Sequence, residues 1–234
     1  MKNRIWYYLL IILLVLLFGC EKEKNILPTL NPWVSYGSVT DRDGNTYRTI
    51  LIGAQTWMAE NLKTTRYNDG KAIPLVFDAA SWSILSTPAC CWQNNDPARK
   101  VTYGALYYWY AVNSGKLCPS GWHMPSDAEW TQLTDYLGGE NNAGGKLKES
   151  GFKHWNSPNT GASNETNFSA LPGGDRINDT AALFENLCAE GSWWTTTSED
   201  DWAVTRLMFD DKNSVQRFFY SKERGLSVRC VWDY

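Results

Sequence analysis

The sequence predicts a mixed α and β domain, and three observations carry that expectation. An Asp43-Gly44 step stands between β-prone runs, a Ser-x-x-Glu signature opens a helix at Ser126, and the last third is a series of short β-prone runs parted by turns. With 234 residues, 43% of them hydrophobic, 14% aromatic and 20% charged, the chain can bury a substantial core within one domain.

The N-terminus has the form of a leader. Lys2 and Arg4 precede an apolar run from Ile5 to Phe18, shorter than the roughly 20 residues that span a bilayer and suited to the core of a signal peptide. The run ends at Leu17-Phe18-Gly19-Cys20, which resembles a bacterial lipobox, where cleavage leaves the cysteine as a lipidated first residue. The expected organisation is a signal peptide over 1–19, a lipidated Cys20 with a tether over 20–37, and one domain over 38–234. Loss of Lys2 and Arg4 takes the net charge from 22 − 25 = −3 to 20 − 25 = −5. An acidic surface gives no pull toward nucleic acid, and none is expected as a partner.

Within the domain, Asp41, Asp43 and Asn45 imitate the opening of a calcium loop. Gly44 falls two places too early, however, and Ile52 stands where the bidentate glutamate belongs, so a hairpin is expected. "YGALYYWYAVNSG", Tyr103 to Gly115, is apolar all round and stops on glycine, which predicts a buried helix. Next comes "CPSGWHMPSDAEWTQL". Ser126 and Glu129 form a capping box, Asp127 and Glu129 suit the positive end of the helix, and Trp130, Leu133 and Leu137 recur at helical spacing until Gly138-Gly139. From Glu140 to Asp179 Gly, Asn, Ser and Thr dominate and predict a long ordered loop. The strands "SWWTTTSE", "DWAVTRLMF", "SVQRFFYS" and "LSVRCVWD" follow, the last placing Leu226, Val228, Cys230 and Trp232 on one face.

These residues carry a resemblance. "DRDGNTYRTILIGAQTWMAENL", "CCWQNND", "YGALYYWYAV", "CPSGWHMPSDAEW", "AGGKLKESG", "HWNSPNTGASNETNFSALPGG", "WWTTTSE" and "GLSVRCV" together resemble the Fibrobacter succinogenes major paralogous domain, a family common among bacterial surface lipoproteins. The likeness runs from about Val39 to Asp233. "HMPSDAEW" and "GLSVRCV" are also similar to segments of the formylglycine-generating enzyme group. That likeness implies an α+β, C-type-lectin-like fold: two helices packed on a small twisted antiparallel sheet with a long non-regular loop region.

Catalytic and metal chemistry is poorly supported. Cys118 and His123 could be imagined as a nucleophile and its base, but an exported chain favours disulfides over free thiols. Cys90, Cys91, His123 and His154 lack metal-ligand spacing, and neither metal nor cofactor is expected. Ser157-Pro158-Asn159 and Trp155-Asn156-Ser157 stand where calcium-dependent lectins carry carboxylates. Cys188 and Cys230 lie too far apart in sequence for the paired cysteines of the oxidase chemistry. The expected disulfide is Cys118–Cys230, tying the entry of the capped helix to the last strand, with one further bridge open among Cys90, Cys91 and Cys188.

The function expected is that of a lipid-anchored outer-membrane protein, exposed at the cell surface, whose domain is a non-catalytic binding module for glycan or protein ligands. A structural envelope or pilus-associated protein and an enzyme with an unrecognised site are the alternatives. Ligand contact is expected on the polar stretch, with Trp155 as an aromatic platform and Asn156, Asn159, Asn164 and Arg176 as polar partners. The competing expectation is that Trp155 plugs the loop onto the core. For the anchor, Cys20→Ala should abolish fatty-acid labelling of the expressed protein. Unchanged labelling would refute lipidation at that residue.

Overall fold

The computed structural model describes residues 35–179, 181 and 183–233, so the leader and Cys20 lie outside the described residues. The chain forms an α+β domain of three antiparallel sheets. The first begins as a meander of β1 (Gly37–Thr40), β2 (Thr46–Ile52) and β3 (Gln55–Met58). Its first turn is the expected hairpin. The Asp41 carboxylate accepts the amides of Asp43 and Asn45, each at 2.9 Å, and the Tyr47 hydroxyl at 2.5 Å, so the calcium-like residues are spent closing the turn.

The stretch Tyr103 to Gly115 departs from expectation. Instead of one helix it holds β5 (Ala105–Tyr108), which pairs with β4 (Cys90–Trp92), and then a single turn of helix over Trp109–Val112. Gly104 sets the break: at φ 79° its missing Cβ leaves room for the Leu62 carbonyl, which a side chain would approach to 2.7 Å. An apolar run too short to show a period fits a strand buried on both faces as well as it fits a buried helix. The capped helix, Asp127–Tyr136, forms as expected, and Ser126 and Glu129 complete the capping box.

The polar stretch also starts differently, with a helix over Glu140–Leu147. Gly144 and Gly145 let it lie directly on residues 213–214. A Cβ on Gly144 would sit 2.4 Å from the Ser214 carbonyl oxygen, and one on Gly145 would sit 2.1 Å from Asn213 Oδ1. What looks like loop composition is here a close-approach face. The loop proper follows, then β7 (Asp175–Arg176) and β8 (Phe184–Glu185). The three-stranded sheet is β9 (Glu190–Glu199), β10 (Trp202–Phe209) and β11 (Gln216–Ser221), with β10 central.

The chain's end joins the sheets. β12 (Gly225–Leu226) sits between β5 and β7, while β13 (Val231–Trp232) sits between β3 and β6 (Trp122–His123). Leu226, Val228 and Cys230 face the core as expected, but Trp232 is exposed, and Ser227, Arg229 and Val231 are buried as well. The segment is therefore covered on both sides. Cys230 is disulfide-bonded to Cys118 across 112 residues of sequence, a closure that the chain-entropy account values at up to about 4–5 kcal/mol. Cys90 and Cys91 are buried free thiols and take no part in a further bridge.

Arg229 is 1% exposed, and among the described residues no carboxylate is in hydrogen-bond contact with it. Its guanidinium donates to Asn61 Oδ1 at 2.9 Å, to the Ser169 carbonyl at 2.9 Å and to the Phe168 carbonyl. Burial pulls its pKa down to about 9. Arg229→Met should strand those acceptors and cost about 3–5 kcal/mol in urea unfolding. A loss under about 1 kcal/mol would show that the cage carries little stability.

Candidate functional site

The β9–β10 hairpin ends in a two-residue turn, Asp200-Asp201, between the paired Glu199 and Trp202. Asp200 takes a left-handed conformation at φ 45°, and Lys222 braces the turn by donating from Nζ to the Asp200 carbonyl and from its amide to the Asp201 carbonyl. Beside the turn Trp202 pairs with Ser221 and Val204 with Phe219 across β10 and β11. Period-two alternation therefore puts Trp202 and Phe219 diagonally on one face. The two residues are 52% and 36% exposed. With Glu199 and Asp200 they line an open cleft of about 250 Å³.

The platform under this cleft is rigid. Trp194 and Ala203 belong to the main core, and the Trp194 indole donates to the Tyr107 carbonyl at 2.7 Å. The Trp109 indole donates to the Thr195 carbonyl on the same strand. Trp202 and Phe219 are thus held exposed on braced strands, with the Arg217 guanidinium 4.9 Å over the Phe219 ring.

Residues 50–232 match the Fibrobacter succinogenes major domain. The chain belongs to that family. No curated protein and no solved structure matches it.

In this Fibrobacter succinogenes major domain most of the residues singled out from sequence are committed to structural contacts. Trp155 is 2% exposed and its indole donates to the Ala170 carbonyl at 3.0 Å, so the ring is a plug and offers no platform. Asn159 is buried and its amide donates to the carbonyls of Glu149 and Gly151. Asn164, half-buried, bridges to Ser169 through both its oxygen and its nitrogen. Arg176 is 1% exposed, stacks 4.3 Å from the Trp82 ring and donates to the carbonyls of Val76 and Phe77. Asn156 alone of the five is exposed, and its backbone amide is held by the Cys188 carbonyl. The sequence signal for the hairpin tip was present in Glu199-Asp200-Asp201-Trp202, an acidic turn running straight into an indole.

The Cys118–His123 segment is structural by its bonds. Cys118 is in the disulfide, and His123 is gripped at both ring nitrogens, by Glu129 at 2.6 Å and by Asp233. A ring that donates from both nitrogens is an imidazolium with no lone pair for a base or a metal. Glu129 meanwhile keeps its capping duty, taking the Ser126 amide at 2.8 Å and hydroxyl at 2.7 Å. Asp127 is likewise occupied, by Arg206 and Arg217. Cys90 and Cys91 are thiols whose pKa burial pushes up, that of Cys91 to about 12, so neither forms a thiolate near neutrality.

The His123 clamp gives a signed pH dependence. Burial alone would lower the His123 pKa, but the hydrogen bonds and charges of Glu129 and Asp233 outweigh it and raise it. Burial opposes ionisation of Glu129, yet the Ser126 and His123 contacts bring its pKa below the usual value. The raised histidine stabilises the fold below its unfolded pKa near 6.5, and that contribution is lost as pH rises through the folded value. The lowered carboxylate stabilises above its own unfolded pKa and is lost as pH falls through its folded value. The clamp is thus strongest between about pH 4.5 and 6.5. The melting-temperature gap between wild type and His123→Gln should be largest near pH 5.5 and shrink toward about pH 9. A gap that is constant with pH would rule out an ionic clamp.

Proposed function

We propose that this protein is a bacterial lipoprotein, held at the outer membrane by a lipid on Cys20 and exposed at the cell surface. Its domain, of C-type-lectin-like arrangement, acts there as a non-catalytic module that binds glycan or protein ligands. The observation that carries the reading is the pair of exposed rings, Trp202 and Phe219, over a cleft on a braced hairpin. Aromatic rings supply large contact area at little entropic cost because they have few rotatable bonds. Mounting them on a strand already ordered in the free protein removes most of the cost of ordering a binding surface.

The contact surface therefore moves from the polar loop to the hairpin tip. A half-exposed indole contributes little to folding, so Trp202→Ala should leave the melting temperature nearly unchanged and weaken ligand capture on a glycan array or a cell-surface protein panel by tenfold or more. Trp155→Ala should do the reverse, costing about 3–5 kcal/mol of stability without changing affinity below its melting point. Capture that is indifferent to Trp202 but lost in a folded Trp155 variant would return the site to the loop.

A further inference from the structure

We infer that the hairpin-tip cleft takes an uncharged pyranose sugar and rejects sugars that carry a carboxylate or sulfate. This rests on the binding-module reading and narrows it to one ligand class.

The inference starts from the two kinds of surface in the cleft. Trp202 and Phe219 share a face and stand partly in solvent. An aromatic face with its negative quadrupole attracts weakly positive C–H groups, which a pyranose ring presents on its apolar side. The other lining groups are the side chains of Glu199 and Asp200. Neither carboxylate accepts a hydrogen bond from a described residue. The Lys222 contact at this turn goes to the Asp200 backbone carbonyl. Ionised carboxylates only accept, and sugar hydroxyls are donors, so ring stacking and hydroxyl donation can be satisfied by one ligand in one pose.

The same inventory disfavours an anionic sugar. Asp201 adjoins the two acids, making three successive carboxylates before Trp202. Two cations stand near, and both are already engaged. Lys222 Nζ sits 4.3 Å over the Trp109 ring and donates to the Asp200 carbonyl, and the Arg217 guanidinium, 4.9 Å over the Phe219 ring, is ion-paired with Asp127 at 2.7 Å. A ligand carboxylate would bring a fourth like charge to a cleft where the one lining side-chain donor is the neutral Trp202 indole N–H. The volume of about 250 Å³ falls below that of pockets for drug-sized ligands, roughly 300–1,000 Å³, and suits a single ring.

The test uses the full domain and includes one ligand pair that differs in charge at a fixed linkage. Galacto-, manno- and cello-oligosaccharides, and fully methyl-esterified oligogalacturonate, are compared by calorimetry with free oligogalacturonate of equal length. At low ionic strength at least one neutral series should bind about tenfold or more tighter than the uronate, and the gap should narrow as salt screens the acids. Glu199→Gln with Asp200→Asn should narrow it further at constant salt, and Trp202→Ala should remove binding of both. Uronate binding equal to or tighter than neutral binding at low salt overturns the inference. So does a gap indifferent to the double variant. Sugar binding that survives Trp202→Ala, or Trp202-dependent capture of a protein with no sugar bound, also overturns this inference while leaving the binding-module reading intact. Trp202-independence of every ligand captured would instead defeat the placement of the module's site.

Discussion

The Arg229 guanidinium is the interaction on which the rest of the fold depends. It draws together parts of the chain that are remote in sequence: Asn61 lies 168 positions away and Ser169 lies 60 away. Asn61 extends the network, its oxygen also taking the Trp193 indole at 3.0 Å and its amide donating to the Tyr103 carbonyl at 2.9 Å. One cation therefore fixes the end of the first meander, the loop after the helix over Glu140–Leu147, the turn before β5 and the first tryptophan of β9. A planar fork with five donors can serve several carbonyls at once, which an ammonium group with three donors does less well. Because the acceptors are neutral dipoles, the charge stays costly. The cage holds only while all its members are in place.

That constraint explains why residues 225–231 are covered on both faces. Ser227 accepts the Trp194 amide, Val228 accepts the Leu62 amide and Cys230 accepts the Met58 amide, while β12 and β13 pair into two different sheets. Placing Arg229 places its neighbours. The Cys118–Cys230 disulfide adds a covalent tie beside the cage, and the His123 clamp on Asp233 holds the chain just beyond β13.

Local chemistry was legible in the sequence and long-range chemistry was not. The Asp43-Gly44 turn and the Ser126–Glu129 cap depend on residues a few positions apart, and both formed as expected. The family, too, was readable, because its motifs span most of the chain. Arg229 looked like the polar face of a half-exposed strand, since nothing near it in sequence reveals three oxygens waiting from elsewhere. Gly144 and Gly145 looked like a loop for the same reason, their partners being residues 213–214. At the site, the rich polar inventory of the loop drew attention to Trp155. The asparagines there, several at positive φ, turn out to shape the loop and satisfy its own carbonyls.

The same logic separates the tryptophans by role. Trp57, Trp130 and Trp193 interlock with Phe168 beneath the loop, with ring centroids 5.0 to 6.1 Å apart, and Trp155 pins the loop above them. Removing these rings would open cavities, so they are committed to folding. Among the described tryptophans the exposed ones are Trp202 and Trp232. Trp202 differs in standing beside a braced turn, a second ring and two unengaged carboxylates. A loop that spends its polar groups on itself has few left for a partner, whereas a hairpin tip ordered by its strands leaves its side chains free. Uncommitted side chains therefore collect at the tip, where rigidity comes from the backbone ladder.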